Sequence, residues 1–472
     1  MSKTLSVLLI CAVLFGMISC TADNGTETTS AQSQSTEPQN ETTNSASNET
    51  TNSASNETTN SASNETTEPD AETTTGQSDP PAPTSPFGID MADLNDLMQP
   101  IFAGNTVKNE TVMFLEKGDV KTLLYPIDTI VSVTSYDGTV VYEEGKDYEL
   151  IDGKIKVLEN SSIPCITLAK YYTDPGHSIK LNTYYNGSAV RTYWGEDMMD
   201  EWQVNVNYTH SSEWNGFNQE SQSDVFDSFI KKLMNGDDVT VIFYGDSITY
   251  GANASWVNGY APYQHSYAML FVEALADLFE YTVHYEKVNF ANIAPVPKED
   301  YVSGTRGTIT YINTSVGGWT SATGKDNSHF YAKVQAKTFG CDLLVLGFGM
   351  NDRGVALENT KSNIKAIVDN VLTEAPDTGV VFMATMVPNP EGIGWLNGQD
   401  KHINALKELT TQYLSDDVAC GVCDMTSMSL SVLQRKNFHD YSGNNINHPN
   451  DFFMRVYAQT LLQTVIGYEN MN

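Results

Sequence analysis

The spacing of apolar and polar positions divides the chain into four stretches. Behind Met1-Ser-Lys3, Leu5 to Ile18 is an apolar run, too short to span a bilayer as a helix but of the length of a signal-peptide core. From residue 21 to 86 apolar bulk nearly vanishes, and the octad Asn-Glu-Thr-Thr-Asn-Ser-Ala-Ser starts at Asn40, Asn48 and Asn56, with a partial copy at Asn64. Such a segment cannot bury enough surface to offset its ordering entropy. It reads as a disordered tether with a mean reach of roughly 45 Å. Between 87 and 235 the pattern becomes short and period-two. Strands are expected at Val112–Leu115, Thr122–Tyr125, Ile130–Ser135, Val140–Glu143, Tyr148–Ile151 and Lys154–Leu158, with turns at Tyr136-Asp-Gly138 and Asp152-Gly153. This predicts an all-β sandwich or jelly-roll domain.

From 236 to 472 the period changes again. Nearly continuous apolar strands are expected at Val239–Tyr244, Thr308–Thr314, Leu343–Gly347, Val380–Met386 and Val418–Asp424. Between them, Tyr267, Leu270, Phe271, Ala274 and Leu278 keep helical spacing, as do Ile364, Ile367, Val368 and Val371, then Ile403, Leu406 and Leu409, and finally Phe453, Val456, Tyr457, Leu461 and Val465. Alternation of this kind predicts an α/β domain: a parallel sheet of five strands with helices on both faces, a three-layer α/β/α sandwich of flavodoxin-like form.

Charge narrows the partners. The 472 residues carry 26 basic and 59 acidic side chains, a formal net charge of -33. An anionic surface disfavours nucleic acid and anionic lipid, and suits a neutral substrate. Six cysteines include Cys11 and Cys20 in the leader; Cys420-Gly-Val-Cys423 lies in an apolar run with no second pair or histidine cluster, and reads as small core residues on a strand. No metal or cofactor is expected. Met17-Ile-Ser-Cys20 resembles a bacterial lipoprotein cleavage box, which implies that Cys20 becomes a lipid-bearing N-terminus at the cell surface. An ordinary secretory signal cut nearby is the alternative.

Candidate chemistry begins at Gly245-Asp-Ser247, where the first strand of the α/β stretch runs into a small turn ending in a hydroxyl. A serine is a poor nucleophile near neutral pH and needs a neighbouring base, for which histidine is best suited. Of the eight histidines, His448 is followed by Pro449-Asn-Asp451 and a long amphipathic run, which puts it on a loop just before a helix whose first turn tolerates proline and favours aspartate. Gly318, after Val316-Gly317, offers a close backbone N–H, and Asn351, after Phe348-Gly349-Met350, an uncharged amide donor. Both donor types stabilise an oxyanion.

Four blocks in order, Gly-Asp-Ser247, Asn313-Thr-Ser-Val-Gly-Gly318, Gly347-Phe-Gly-Met-Asn351 and Asn445-Ile-Asn-His448, resemble those of the SGNH (GDSL-type) hydrolase superfamily. The β-stretch in front is similar to that of two-domain carbohydrate esterases of the second carbohydrate esterase family. The resemblance implies Ser247 as nucleophile, His448 as base, and Gly318 and Asn351 as oxyanion donors. It places Asp246 and Trp319 beside the pocket as candidate substrate contacts, although Asp246 also suits a role within the turn. One position departs from the family: the aspartate three residues before the histidine is here Asn445. Asn445, Asp440 and Asp424 are therefore each candidates to orient His448, alongside a simple Ser247–His448 pair. Tyr171-Tyr, Tyr184-Tyr, Tyr193-Trp194, Trp202 and Trp214 offer rings for sugar stacking or core packing.

The expected activity is hydrolysis of O-acyl, above all O-acetyl, esters of a polysaccharide outside the cell. An esterase of lipid or peptidoglycan esters, or an inactive carbohydrate-binding surface protein, are the alternatives. If Cys20 carries the lipid, Cys20→Ala should move the chain from the membrane fraction to the medium without altering its turnover; an unchanged fractionation would refute the anchor.

Overall fold

A computed structural model describes residues 98–173, 182–183, 199–290, 292–326, 331–393 and 395–468. The leader, Cys20, the tether, Tyr184-Tyr and Tyr193-Trp194 lie outside the described residues. All described residues belong to one compact unit, Ser78–Asn472.

The N-terminal part is built on antiparallel pairing. Strands β1 (Thr106–Met113), β2 (Thr129–Ser135), β3 (Val141–Tyr142) and β4 (Gln203–Thr209) form one sheet in the order β1-β4-β2-β3, and Val120–Lys121, Lys154–Val157 and Tyr148–Ile151 form a second of three strands. Strand β4 has no counterpart among the sequence expectations. Yet Gln203-Val-Asn-Val-Asn-Tyr-Thr alternates with period two and pairs with both β1 and β2. Thr122–Tyr125, expected as a strand, is instead irregular chain whose Leu123, Leu124 and Tyr125 turn into the core. Apolar bulk alone cannot tell a strand from a buried bend.

The C-terminal part has all five expected parallel strands: β5 (Val239–Gly245), β8 (Thr308–Asn313), β9 (Leu343–Gly347), β10 (Gly379–Ala384) and β11 (Cys420–Asp424). Two more, β6 (Thr282–Tyr285) and the antiparallel edge β7 (Tyr301–Val302), extend the order to β7-β6-β8-β5-β9-β10-β11. Every residue of β5 is buried, and its side chains alternate between two cores. Val239, Val241 and Phe243 face helices Tyr267–Phe279 and Asp451–Val465, whereas Ile242 and Tyr244 face Tyr331–Phe339, Leu357–Glu374 and His402–Ser415. The strand order reverses around β5, so loops from the carboxyl ends of β8, β5 and β9 converge there.

The first of these cores does not stop at the α/β layers. It is continuous with Val112, Phe114, Val133 and Ile155 of the β-part. A buried ion pair reinforces the seam: Lys436 Nζ reaches Glu110 Oε1 at 2.5 Å with both side chains fully buried, and donates to Thr111 O at 2.8 Å. Glu110 also accepts from Leu124 N–H and from the Tyr208 hydroxyl. Removing one partner of such a pair leaves the other charge buried without compensation. Glu110→Ala should therefore lower unfolding free energy by about 3–5 kcal/mol, read as a fall in the urea midpoint; an unchanged midpoint would show that the seam contributes nothing.

Candidate active site

Ser247 opens a four-residue helix, Ser247–Tyr250, at the end of β5. Asp246 fixes that start: its carboxylate accepts Ile248 N–H at 3.0 Å, and its own N–H reaches Gly347 O at 3.1 Å. Gly245 has no substitute here, because a Cβ would collide with the Gly347 carbonyl on the neighbouring strand. Gly251, at φ 95°, ends the helix in the left-handed conformation, and Asn253 follows at φ 68°, a region that asparagine enters more readily than most residues.

His448 hangs on the loop between the turn Phe438–Asp440 and the last helix, Asp451–Val465. Asn444 Oδ1 gathers the N–H groups of Ile446, Asn447 and His448 at 2.9–3.0 Å, while Ser442 Oγ and Gly443 N–H both donate to His448 O. The helix is capped by Asn450, which accepts Phe453 N–H at 3.1 Å, so Pro449 lies just outside the first turn rather than within it.

These two loops bring His448 Nε2 to 2.8 Å from Ser247 Oγ. On the far side of the ring, His448 Nδ1 lies 2.7 Å from Asn253 Oδ1. The hydrogen-bond network assigns the protons: Asn253 Nδ2 donates to Gly443 O at 3.2 Å, so its oxygen faces the imidazole. That oxygen can only accept, which leaves the proton on Nδ1 and a free lone pair on Nε2 for the serine hydroxyl. Burial pushes the imidazole down from 6.5 to about 4. His448 is thus neutral, the form a base requires, throughout the mildly acidic and neutral range.

Two donors border the serine. Gly318, at φ 78° on an exposed turn, has no acceptor for its N–H among the described residues, and a Cβ on its neighbour Gly317 would lie 4.0 Å from Ser247 Cβ. Asn351 Nδ2 gives one hydrogen to Trp319 O at 2.9 Å and has a second to offer. The two donor loops are tied together by Asp352, whose carboxylate accepts the N–H and hydroxyl of Ser321. Asn313 joins the Gly318 loop to the serine helix, donating to Thr249 O at 2.8 Å and accepting from Ser315 N–H.

Residues 243–456 match the model of the GDSL-like lipase/acylhydrolase family, and all of the groups above fall within that span. This stretch is a GDSL-like hydrolase domain. Among solved structures, the chain is similar to a two-domain esterase active on acetylated mannans (14% identity, 52% of this chain and 53% of the other, TM-score 0.33). It is also similar to a family 3 carbohydrate esterase of Clostridium thermocellum (12%, 49% and 96%, TM-score 0.33) and to a lipolytic G-D-S-L protein of Veillonella parvula (13%, 48% and 97%, TM-score 0.32). The match thus spans about half the length of the two-domain mannan esterase. No curated protein matches the chain.

Within the GDSL-like domain, the acceptor of His448 Nδ1 is none of the three residues singled out in the sequence. Asn445, at φ 58°, directs its amide to the Tyr171 hydroxyl and to Asn389 Nδ2. Asp440 accepts Met113 N–H and Asn437 N–H, and Asp424 caps helix Met425–Leu433 and pairs with Lys407. Asp246 is likewise corrected from substrate contact to buried helix cap, with burial, and Asp352 nearby, raising its carboxyl to about 7. Trp319 is half-buried and stacks on Tyr331 at 5.5 Å, packed against the second core. Cys420 and Cys423 are buried, unpaired residues of β11. Asn253 was missed because its link to His448 crosses 195 positions; the available signal was a polar residue on the loop leaving the serine helix.

The arrangement predicts a distinctive pH profile. With His448 near 4, kcat/KM should stay level as pH falls from neutral and drop only around pH 4, the range in which the imidazole gains its proton. Asn253→Asp would set a carboxylate against Nδ1 and favour the charged ring, so the acid limb should move to higher pH. Asn253→Ala should cost about ten- to a thousandfold in kcat, below the roughly 10⁴-fold loss when a charged orienting residue is neutralised. Profiles that coincide for all three proteins would remove Asn253 from the site.

Proposed function

We propose that the chain is a serine esterase that removes O-acetyl groups from a polysaccharide outside the cell. The observation that carries this reading is the hydrogen-bonded series Ser247 Oγ, His448 and Asn253 at 2.8 and 2.7 Å, set beside Gly318 and Asn351 in a GDSL-like domain. Ser247 attacks the ester carbonyl while His448 Nε2 takes its proton. The oxyanion is held by Ser247 N–H, Gly318 N–H and Asn351 Nδ2, of which one good donor contributes about 3–4 kcal/mol. As the intermediate collapses, the bond from carbon to the sugar oxygen breaks and His448 gives that oxygen its proton, releasing the sugar hydroxyl. Water, deprotonated by His448, then attacks the acetyl-serine, and acetate leaves as Ser247 Oγ regains the proton. Asn253 keeps the imidazole in the required tautomer but adds no charge to stabilise imidazolium.

A polysaccharide substrate is supported by the net charge of -33, which suits a neutral polymer better than an anionic lipid surface. The experiment is hydrolysis of p-nitrophenyl acetate and of acetylated mannan, xylan and pectin by the full chain. Ser247→Ala should abolish turnover in a folded protein, and Asn351→Ala should lower kcat roughly 10²- to 10³-fold with little change in KM. Activity retained by Ser247→Ala would overturn the mechanism, and release of acetate from none of the polymers would overturn the substrate class.

A further inference from the structure

A cavity of about 700 Å³ lies between the β-part and the segment that follows the serine helix. Ser135, Tyr136, Asp137 and Tyr142 line it from the β2–β3 hairpin, Asp200, Glu201 and Gln203 from the approach to β4, and Asn258, Tyr260 and Ala261 from the loop beyond Asn253. Its size falls within the roughly 300–1,000 Å³ of small-molecule sites.

The lining is selective in its chemistry. Tyr260 is the part-exposed aromatic ring of the lining, Tyr136 and Tyr142 being buried in its wall, and three carboxylates with no cation among the lining residues disfavour an anionic ligand. Asp200 is the sharpest indicator: it is nine-tenths buried and its carboxyl is bonded to Tyr260, yet its Oδ1 has no hydrogen-bond partner. An orphaned buried acceptor costs free energy unless a ligand satisfies it. By contrast, Gln203 is fully engaged, donating to His439 O and Ser442 O and accepting from Asn450, so it forms the floor. Burial, with Asp451 and Glu201 nearby, raises the Asp200 carboxyl to about 7, which lets it donate as well as accept near neutral pH.

An aromatic face beside carboxylate and amide groups is complementary to one ligand chemistry: rings with apolar C–H faces and hydroxyl edges. We infer that this cavity binds a segment of a neutral polysaccharide chain, held by Tyr260, Asp200, Glu201 and Asn258, at a position distinct from the Ser247–His448 pair. The inference rests on the reading of the substrate as a polysaccharide, and the test separates the two.

The full chain is titrated by calorimetry with manno-, xylo- and cello-hexaose, which carry no ester. Asn258→Ala and Glu201→Gln change exposed groups and leave the core intact; Asp200→Asn tests the orphaned oxygen. At least one series should bind, each variant should weaken it by about tenfold, and p-nitrophenyl acetate turnover should stay at the wild-type rate. Binding by no hexaose, or binding equal in wild type and all three variants, overturns the inference even if acetylated polymers are hydrolysed. Cavity-dependent binding in a protein that releases acetate from no polymer upholds the inference and refutes the proposed substrate.

Discussion

Much of the site depends on how the backbone of the loop from Lys436 to Asp451 is satisfied. A buried loop carries N–H and C=O groups that must find partners. Here many of those partners come from the β-part. Thr111 donates to Asp440 O, Met113 N–H bonds the Asp440 carboxylate, Gln203 donates to His439 O and Ser442 O, and Asn450 reaches Thr111 and Gln203. The Tyr136 hydroxyl accepts Asp451 N–H at the mouth of the last helix. The β-part therefore braces the loop that presents His448, adding to the partners that Asn444, Ser442 and Gly443 supply from within it.

The same burial explains the electrostatics. His448 is enclosed, its Nδ1 partner is an amide, and both features favour the neutral ring. A neighbouring carboxylate would stabilise the imidazolium that forms in the transition state, so this geometry exchanges some of that stabilisation for a base that stays unprotonated in mildly acidic surroundings. His439, nine positions earlier, shows a related logic without a place beside the serine: burial and the Lys121 cation hold it at about 3, and Asp440 next to it, although buried, is held below the usual carboxylate range by the Lys121 and Lys436 cations. The charged groups of the seam serve its integrity, while both partners in line with Ser247 Oγ, the His448 ring and the Asn253 amide, are uncharged.

The α/β layers were legible in the sequence because their strands are buried on both faces. Val239–Tyr244, Leu343–Gly347 and their neighbours appear as continuous apolar runs, which few other structures produce. Ser247, Gly318, Asn351 and His448 were legible because they end strands or precede a helix, where local chemistry is visible in short motifs. The edge strands β6 and β7 were not, being four and two residues long with exposed positions. Strand β4 was missed although its alternation is clear, because its partners are distant in the chain.

The sequence by itself determined the layered architecture, the order of the four blocks and the residue types that face one another, since these follow from hydrophobic period and from turns set by glycine and asparagine. Tertiary structure alone decided which acceptor the imidazole receives. Asn445 sits three residues from His448, but a left-handed backbone turns it toward Tyr171 and Asn389, while Asn253 arrives from the serine loop with its amide held by Gly443. A hydrogen bond depends on position within a few tenths of an ångström. The packing of the β-part against the histidine loop, together with the bonds that Asn444, Ser442 and Asn253 make there, fixes positions that finely.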